Sequence, residues 1–321
     1  MTARHEGEND WLAWVRELLA GDEPARGDLF VGPGDDAAVI APSQGGPTVI
    51  TTDAIVEGVH FESSAAPRAV GWKAIAVNLS DVAAMAARPT ATVIAITAPP
   101  RFGRPDLEEL MRGATDCAAA HEVRIVGGDF STTEGPLTVT VTALGDCEGR
   151  RPVLRSGAVV GDAILVTGSL GGSILGRHLS FQPRVAEALA LVERYALHAM
   201  MDVSDGLALD LARMAEASGV GAALDEAQIP VSEDARTRSE QTGRPALEHA
   251  LGDGEDFELL MAVAPADADR MIVEENPAIP ITRIGEITAS PGLVLRDRAG
   301  TARPLEHLGH EHRIETDTSD E

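Results

Sequence analysis

Thr48–Phe61, TVITTDAIVEGVHF, is the stretch from which the rest of the chain can be read. Thr48 to Thr52 are all β-branched and predict a strand running straight into Asp53. A carboxylate at the carboxyl end of a buried strand stands on a rigid element, at the rim where open α/β sheets place ligands. Val59-His60-Phe61 then returns a ring nitrogen to the same region after one short loop. An Asp at a strand end is by itself more often a turn residue than a ligand. Four further acidic motifs give it weight: Asp35-Asp36, Asp81, Asp129, and Asp202 with Asp205.

Composition narrows the function classes. With 321 residues the chain predicts two domains, each able to bury a core, and we place the boundary near Arg150. The formal net charge of −25 argues against a nucleic-acid binder and against docking on anionic membranes. Lys73 is the only lysine among the 26 Lys and Arg residues. Cys117 and Cys147 are too few for a disulfide framework and predict a reducing cytoplasm. The opening MTARHEGEND has no apolar core of a leader, and no run approaches a membrane span. An acidic protein that binds a polyanion such as a nucleotide must bridge its carboxylates to phosphate with cations, which points to Mg²⁺.

Along the chain, Asp10 to Ala20 reads as a short amphipathic helix, with Trp11, Trp14, Val15 and Leu18 on one face. Gly32 to Asp36 is a tight turn and Ala37–Ile40 a strand. Pro67 opens a long, largely apolar helix that stops near Ala87, before Arg88-Pro89. Asn78 and Asp81 share one face of it, and a carboxylate in such surroundings needs a partner or a metal. Thr90–Thr97 is a strand, Pro105–Glu122 a helix, Val123–Val126 a strand ending in Gly127-Gly128-Asp129, and Leu137–Leu144 an alternating strand. This order predicts a mixed α/β domain. In the second half, Ala163–Thr167 is a strand before a Gly-rich loop at 168–172, which reads as a structural turn. Met201 to Gly206 leads into a helix through Ala217, and Gly252 to Asp256 precedes a strand at Phe257–Val263. Residues 315–321 are acidic and apolar-free, a predicted disordered tail.

Several carboxylates gathered in one place repel unless metal is present, and Mg²⁺ takes one or two carboxylates each plus phosphate oxygens and water. Any one Asp in a Gly-rich turn of an acidic protein is explained by turn chemistry, but Asp81 inside an apolar helix is not. No Walker-type loop, kinase catalytic loop or G-x-S-x-G elbow occurs, and Cys and His lack zinc spacing.

Seven ordered motifs resemble the thiamine-monophosphate kinase family, of the superfamily that includes aminoimidazole ribonucleotide synthetase and selenophosphate synthetase. They are GPGDDAAVI, TTDAIVEGVHF, WKAIAVNLSDVAAMAA, VGGDFS, RSGAVVGDAILVTG, MDVSDGLALDL and GDGEDFEL, and the likeness runs from about Trp11 to His312. The resemblance implies an α/β, layered fold in two parts. An N-terminal ATP- and Mg-binding domain over 1–150 has a mixed sheet that pairs across a homodimer into a barrel. A C-terminal α/β domain over 151–314 completes the site. It implies transfer of phosphate from ATP to thiamine monophosphate, with several Mg²⁺ ions and no covalent intermediate. Carried over by motif, Asp36, Thr51, Thr52, Asp53, Asp81, Asp129, Asp202 and Asp205 would hold metal, and Asp53, Asp129 and Asp205 are the catalytic candidates. Gly128, Arg155 and Ser204 would touch ATP, and His60 and Glu255 would line the thiamine phosphate site. Phe130 follows Asp129 where the family usually has Thr, and Gly309-His310-Glu311-His312-Arg313 lacks the family's aromatic. Two other readings stand beside this one. The first is another ATP-using enzyme of the superfamily, though the reactive Cys that selenophosphate synthetase needs near its N-terminus is absent before Cys117. The second is a catalytically silent binder of nucleotide or Mg²⁺.

Overall fold

The computed structural model describes residues 29–31, 39–40, 47–274, 279–305 and 309–310. The helix expected at Asp10 to Ala20, the turn holding Asp35 and Asp36, and the acidic tail lie outside the described residues. The chain divides into two compact units. The first joins Met1–Val153 to a returning segment, His178–Tyr195, and the second joins Leu154–Arg177 to Ala196–Glu321. The sequence reading contains no such return.

In the first unit β1 (Leu29–Val31) pairs antiparallel with β2 (Val39–Ile40). β3 (Thr48–Val56), β4 (Arg88–Ala98), β5 (Arg124–Thr132) and β6 (Thr138–Asp146) form one sheet in the order β3-β6-β4-β5. β6 is antiparallel to both neighbours, and β4 and β5 are parallel. The mixed α/β order of the sequence reading is therefore present. Two strands run further than their motifs suggest. β3 continues three residues past Asp53, and β5 continues through Gly127-Gly128-Asp129, so neither Asp ends its strand. Both are edge strands, where polar residues and glycines need satisfy only one neighbour.

Helix α1 (Pro67–Ala84) starts with Pro at its first turn and is buried almost all round. It gives way to β4 at Arg88, whose extended backbone suits a residue before Pro89. Helix α2 (Arg104–Ala120) crosses it backbone to backbone. A Cβ on Gly71 would lie 1.8 Å from the Leu110 carbonyl oxygen, and one on Gly113 would lie 1.8 Å from that of Arg68. The returning segment carries α3 (Val185–Arg194), and Trp72 Nε1 of α1 donates to its Phe181 carbonyl at 2.9 Å.

The second unit is built on β7 (Ala163–Thr167), β8 (Leu197–Asp202), β9 (Gly221–Asp225), β10 (Leu259–Val263), β11 (Ile281–Thr288), β12 (Gly292–Arg296) and β13 (Ala302–Pro304). Their order is β13-β12-β9-β11-β7-β10-β8. Helices α4 (Leu207–Ser218), α5 (Glu233–Thr242), α6 (Ala246–Gly252) and α7 (Pro265–Glu274) complete the unit. β7 and β10 are buried at every residue, and Leu211, Met214, Leu224 and Leu260 share their core. Two α/β units with mixed sheets bear out the predicted fold class. Cys117 and Cys147 are free, buried thiols whose pKa burial raises. Among the described residues no helix is long and apolar enough to cross a membrane.

Candidate active site

In the first unit the side chains of β3 alternate between the two faces of the sheet. Thr51, Asp53 and Ile55 stand opposite Ala143, Val141 and Val139, which are buried. On that face Asp81 of α1 accepts a 2.6 Å hydrogen bond from Thr51 Oγ1. Asn78, 0 % exposed, turns its Oδ1 to the Asp53 backbone N–H at 3.1 Å and its Nδ2 to the Ala74 carbonyl. A third contact completes the series. Lys73 Nζ donates to the His60 carbonyl at 2.6 Å. The helix thus grips the strand and the loop after it at three successive points.

The loop itself is compact. Val59 and His60 N–H groups both reach the Val56 carbonyl, Gly58 N–H reaches the Phe61 carbonyl, and Gly58 takes a φ of +81°. The Val56 N–H donates to His60 Nδ1 at 3.1 Å, so a neutral ring carries its proton on Nε2. Thr52 belongs to the other face, where its hydroxyl donates to the Val141 carbonyl and accepts from Thr142 Oγ1.

Asp129 is placed elsewhere. Register sets it opposite Ala95, Ala95 opposite Thr140, and Thr140 opposite Ala54, so it shares the face of Thr52 rather than that of Asp53. It also lies on the far edge of the sheet, three strand spacings or about 14 Å from β3. Gly128 is in the row of Asp53, and a Cβ there would lie 1.9 Å from the Ile94 carbonyl oxygen. Thr51 and Asp81 are therefore in contact, Asp53 stands on the same sheet face, and Asp129 does not. Asp36 lies outside the described residues.

In the second unit Asp202 ends β8 and is buried. Gly206, with φ +116°, opens α4. Buried Asp210 accepts the N–H groups of Asp205 and Gly206 at 3.0 and 3.1 Å, and Arg213 bridges the carboxylates of Asp205 and Asp210. Burial pushes the Asp210 carboxyl up to about 6. The strand-entry loop lies against this turn. Glu255 and Phe257 donate their N–H groups to the carbonyls of Ser204 and Val203 at 2.7 and 2.8 Å. Both have left-handed φ, +55° and +51°, a strained backbone of the kind found at functional sites. His310 N–H reaches the Asp205 carbonyl at 2.9 Å. Ser204, Asp205, Glu255 and the Gly309-His310 motif thus meet, although they are distant in sequence. Arg155 is exposed in an irregular segment before β7.

The Gly-rich loop is a structural turn, as its sequence suggests, because its N–H groups are used internally. Gly171 N–H donates to both oxygens of Asp256 at 2.9 Å, and Gly172 N–H donates to Asp253. Arg177 clamps Asp256 at 2.7 Å, and Glu258 accepts from Thr167 Oγ1 at 2.7 Å. Burial, opposed by Arg177 and the Gly171 amide, pushes the Asp256 carboxyl up to about 7. Asp210, Arg213, Arg177, Asp256 and Glu258 were not singled out from sequence. An Asp in the first turn of a helix opened by Gly206 suits the positive end of the helix dipole, a local signal for Asp210, but nothing local marks Arg177 as the partner of a residue 79 positions away.

Among the described residues no three His, Cys, Asp or Glu side chains converge as a metal site. Thr51 and Asp81, in contact, and Asp53 on the same sheet face offer hard oxygens, the donor type Mg²⁺ takes alongside phosphate and water.

Known proteins resemble most of the chain. Residues 34–147 match the family profile of AIR synthase related protein, N-terminal domain, and residues 159–298 match that of its C-terminal domain. The thiamine-monophosphate kinase of Rhodopirellula baltica is 43% identical over 294 residues, covering 89% of this chain and 91% of the relative. The crystal structure of thiamine-monophosphate kinase from Stenotrophomonas maltophilia K279a superposes with a TM-score of 0.77 at 32% identity, over 91% of this chain and 96% of that one. The structure of AaThiL complexed with AMPPCP and TMP gives a TM-score of 0.74 at 28% identity, over 96% of this chain and 98% of that one.

Proposed function

Because the chain belongs to the thiamine-monophosphate kinases of the AIR synthase related family, we propose that it transfers the γ-phosphoryl group of ATP to thiamine monophosphate. The products are thiamine diphosphate and ADP. The observation that carries the reading to this chain's residues is the grip of α1 on β3, which holds Thr51, Asp53 and Asp81 on rigid elements. Thr51, Asp53 and Asp81, with Asp36, Thr52, Asp129, Asp202 and Asp205, are the proposed Mg²⁺ ligands. Bound Mg²⁺ supplies positive charge to the phosphate oxygens between which the phosphoryl group passes.

The chain's own groups do the rest. Gly128, Arg155 and Ser204 take the ATP side, where a guanidinium suits phosphate and a glycine lets backbone approach it closely. His60 offers Nε2–H to the acceptor phosphate, and Glu255 offers a carboxylate to the cationic thiazolium and the aminopyrimidine. Transfer is direct in this reading, since the sequence beside the acidic motifs carries no Ser, Cys or His nucleophile–base signature.

The placement of Asp129 supports a homodimer, the assembly that the family resemblance implies. The sheet face that bears it also carries Ile50, 68 % exposed, Thr52 and Ala54 on β3. Its β3 residues are apolar or hydroxylic, which suits burial against a second copy, and its charged residues, Asp129 on β5 and the Arg88–Asp146 pair, stand away from them. A partner would also bring an Asp129 toward a β3 edge from which each chain's own Asp129 is remote. Incubation with ATP, Mg²⁺ and thiamine monophosphate, read by ³¹P NMR, should show the paired resonances of thiamine diphosphate and ADP. Persistence of both substrates, or ADP with inorganic phosphate alone, refutes the assignment.

A further inference from the structure

We propose that Lys73 is a positioning residue that acts through His60, an inference that rests on the assignment of His60 to the acceptor phosphate. The chain has one lysine among its 26 Lys and Arg residues, and that lysine is 0 % exposed. A buried ammonium is costly unless it is hydrogen-bonded. Here it donates to the His60 carbonyl at 2.6 Å. The loop's own N–H groups close it from within, through the Val56 and Phe61 carbonyls. The ammonium ties it from below to α1, which also fixes Thr51 and Asp53.

Lys73, Asn78 and Asp81 therefore set one frame for the loop and the strand. The His60 ring is oriented in that frame by the Val56 N–H at Nδ1, which puts the proton of the neutral ring on Nε2. A guanidinium is wider and planar, and it cannot replace a compact ammonium in this closed space without displacing the loop. That accounts for a lysine here in a chain that uses Arg everywhere else.

The test uses the full chain as Lys73→Met and Lys73→Arg. Two readouts are taken: ¹⁵N-histidine NMR of the His60 tautomer, and KM for each substrate. With Lys73→Met, folded by circular dichroism, His60 should show mixed Nδ1 and Nε2 protonation. KM for thiamine monophosphate should rise about tenfold while KM for ATP stays near the parent value, the effect of one misdirected hydrogen bond. Lys73→Arg should move both readouts in the same direction by less. A His60 spectrum unchanged in Lys73→Met overturns the proposal. A changed spectrum with unchanged KM for thiamine monophosphate upholds the positioning role and refutes the placement of His60 at that substrate. Should Lys73→Met not fold, parent-like values in Lys73→Arg overturn the proposal on their own.

Discussion

Asp53 is tied to Asn78 through its backbone amide, so that contact does not need its carboxylate. Asp53→Asn should therefore keep the fold and lose function. A drop in kcat of about 10²-fold or more is expected, the scale of one lost electrostatic contact to the transition state. Its melting temperature without metal should equal or exceed the parent's, because carboxylate repulsion is relieved. Steady-state turnover and calorimetry check both halves. Asp256 gives a pH signature. Its carboxyl titrates at about 7 in the folded chain against an ordinary value of 3.8, chiefly through burial. Between those values the folded chain holds a proton that the unfolded chain has released. Stability from this group is complete below the unfolded value and is lost as pH rises through the folded one. Asp210, raised to about 6, acts in the same sense over a narrower range. Asp256→Asn should flatten the fall in melting temperature between pH 5 and pH 8, and an unchanged fall would show that the carboxyl ionises normally. At this scale the sequence was informative where a residue conflicted with its neighbours. Asp81 in an apolar helix and the solitary Lys73 both prove to be held by β3 or its loop. Partners such as Arg177 and Asp256 were hidden, because an ion pair between distant positions leaves no local pattern.

Elements were legible to within a few residues wherever periodicity and punctuation agreed. α1 opens at Pro67 and β4 follows before Pro89, as the two prolines require. β3 and β5 were read too short, since an edge strand tolerates the Asp and Gly that look like turn residues. The crossing of α1 and α2 was not legible, because a glycine within a helix does not announce what touches it. At Gly71 the added Cβ of Gly71→Ala has backbone, not a flexible side chain, 1.8 Å away. That variant should lose about 2 kcal/mol or more of stability. Urea unfolding checks this, and a midpoint equal to the parent's would mean that the helices separate at no cost. The site depends on the same crossing, because α1 carries Asn78 and Asp81.

The whole molecule was legible as two α/β units, because each half has its own strands and acidic turns. The return of His178–Tyr195 to the first unit was not, since such a crossover depends on packing that no local signal encodes. Assembly gives the prediction at this scale. Sedimentation should show a dimer, and Ile50→Arg, at a position 68 % exposed, should yield folded monomers with reduced activity. A monomeric parent would contradict the proposed pairing of sheets. The central claim is direct phosphoryl transfer between two bound substrates, and one measurement reaches it most directly. The chain is incubated with γ-³²P-ATP and Mg²⁺, with and without thiamine monophosphate, and label is followed in nucleotide, thiamine and protein fractions. The account predicts label in thiamine diphosphate when the acceptor is present, and none on the protein in either mixture. Label retained on the protein, or released only as inorganic phosphate, would contradict it.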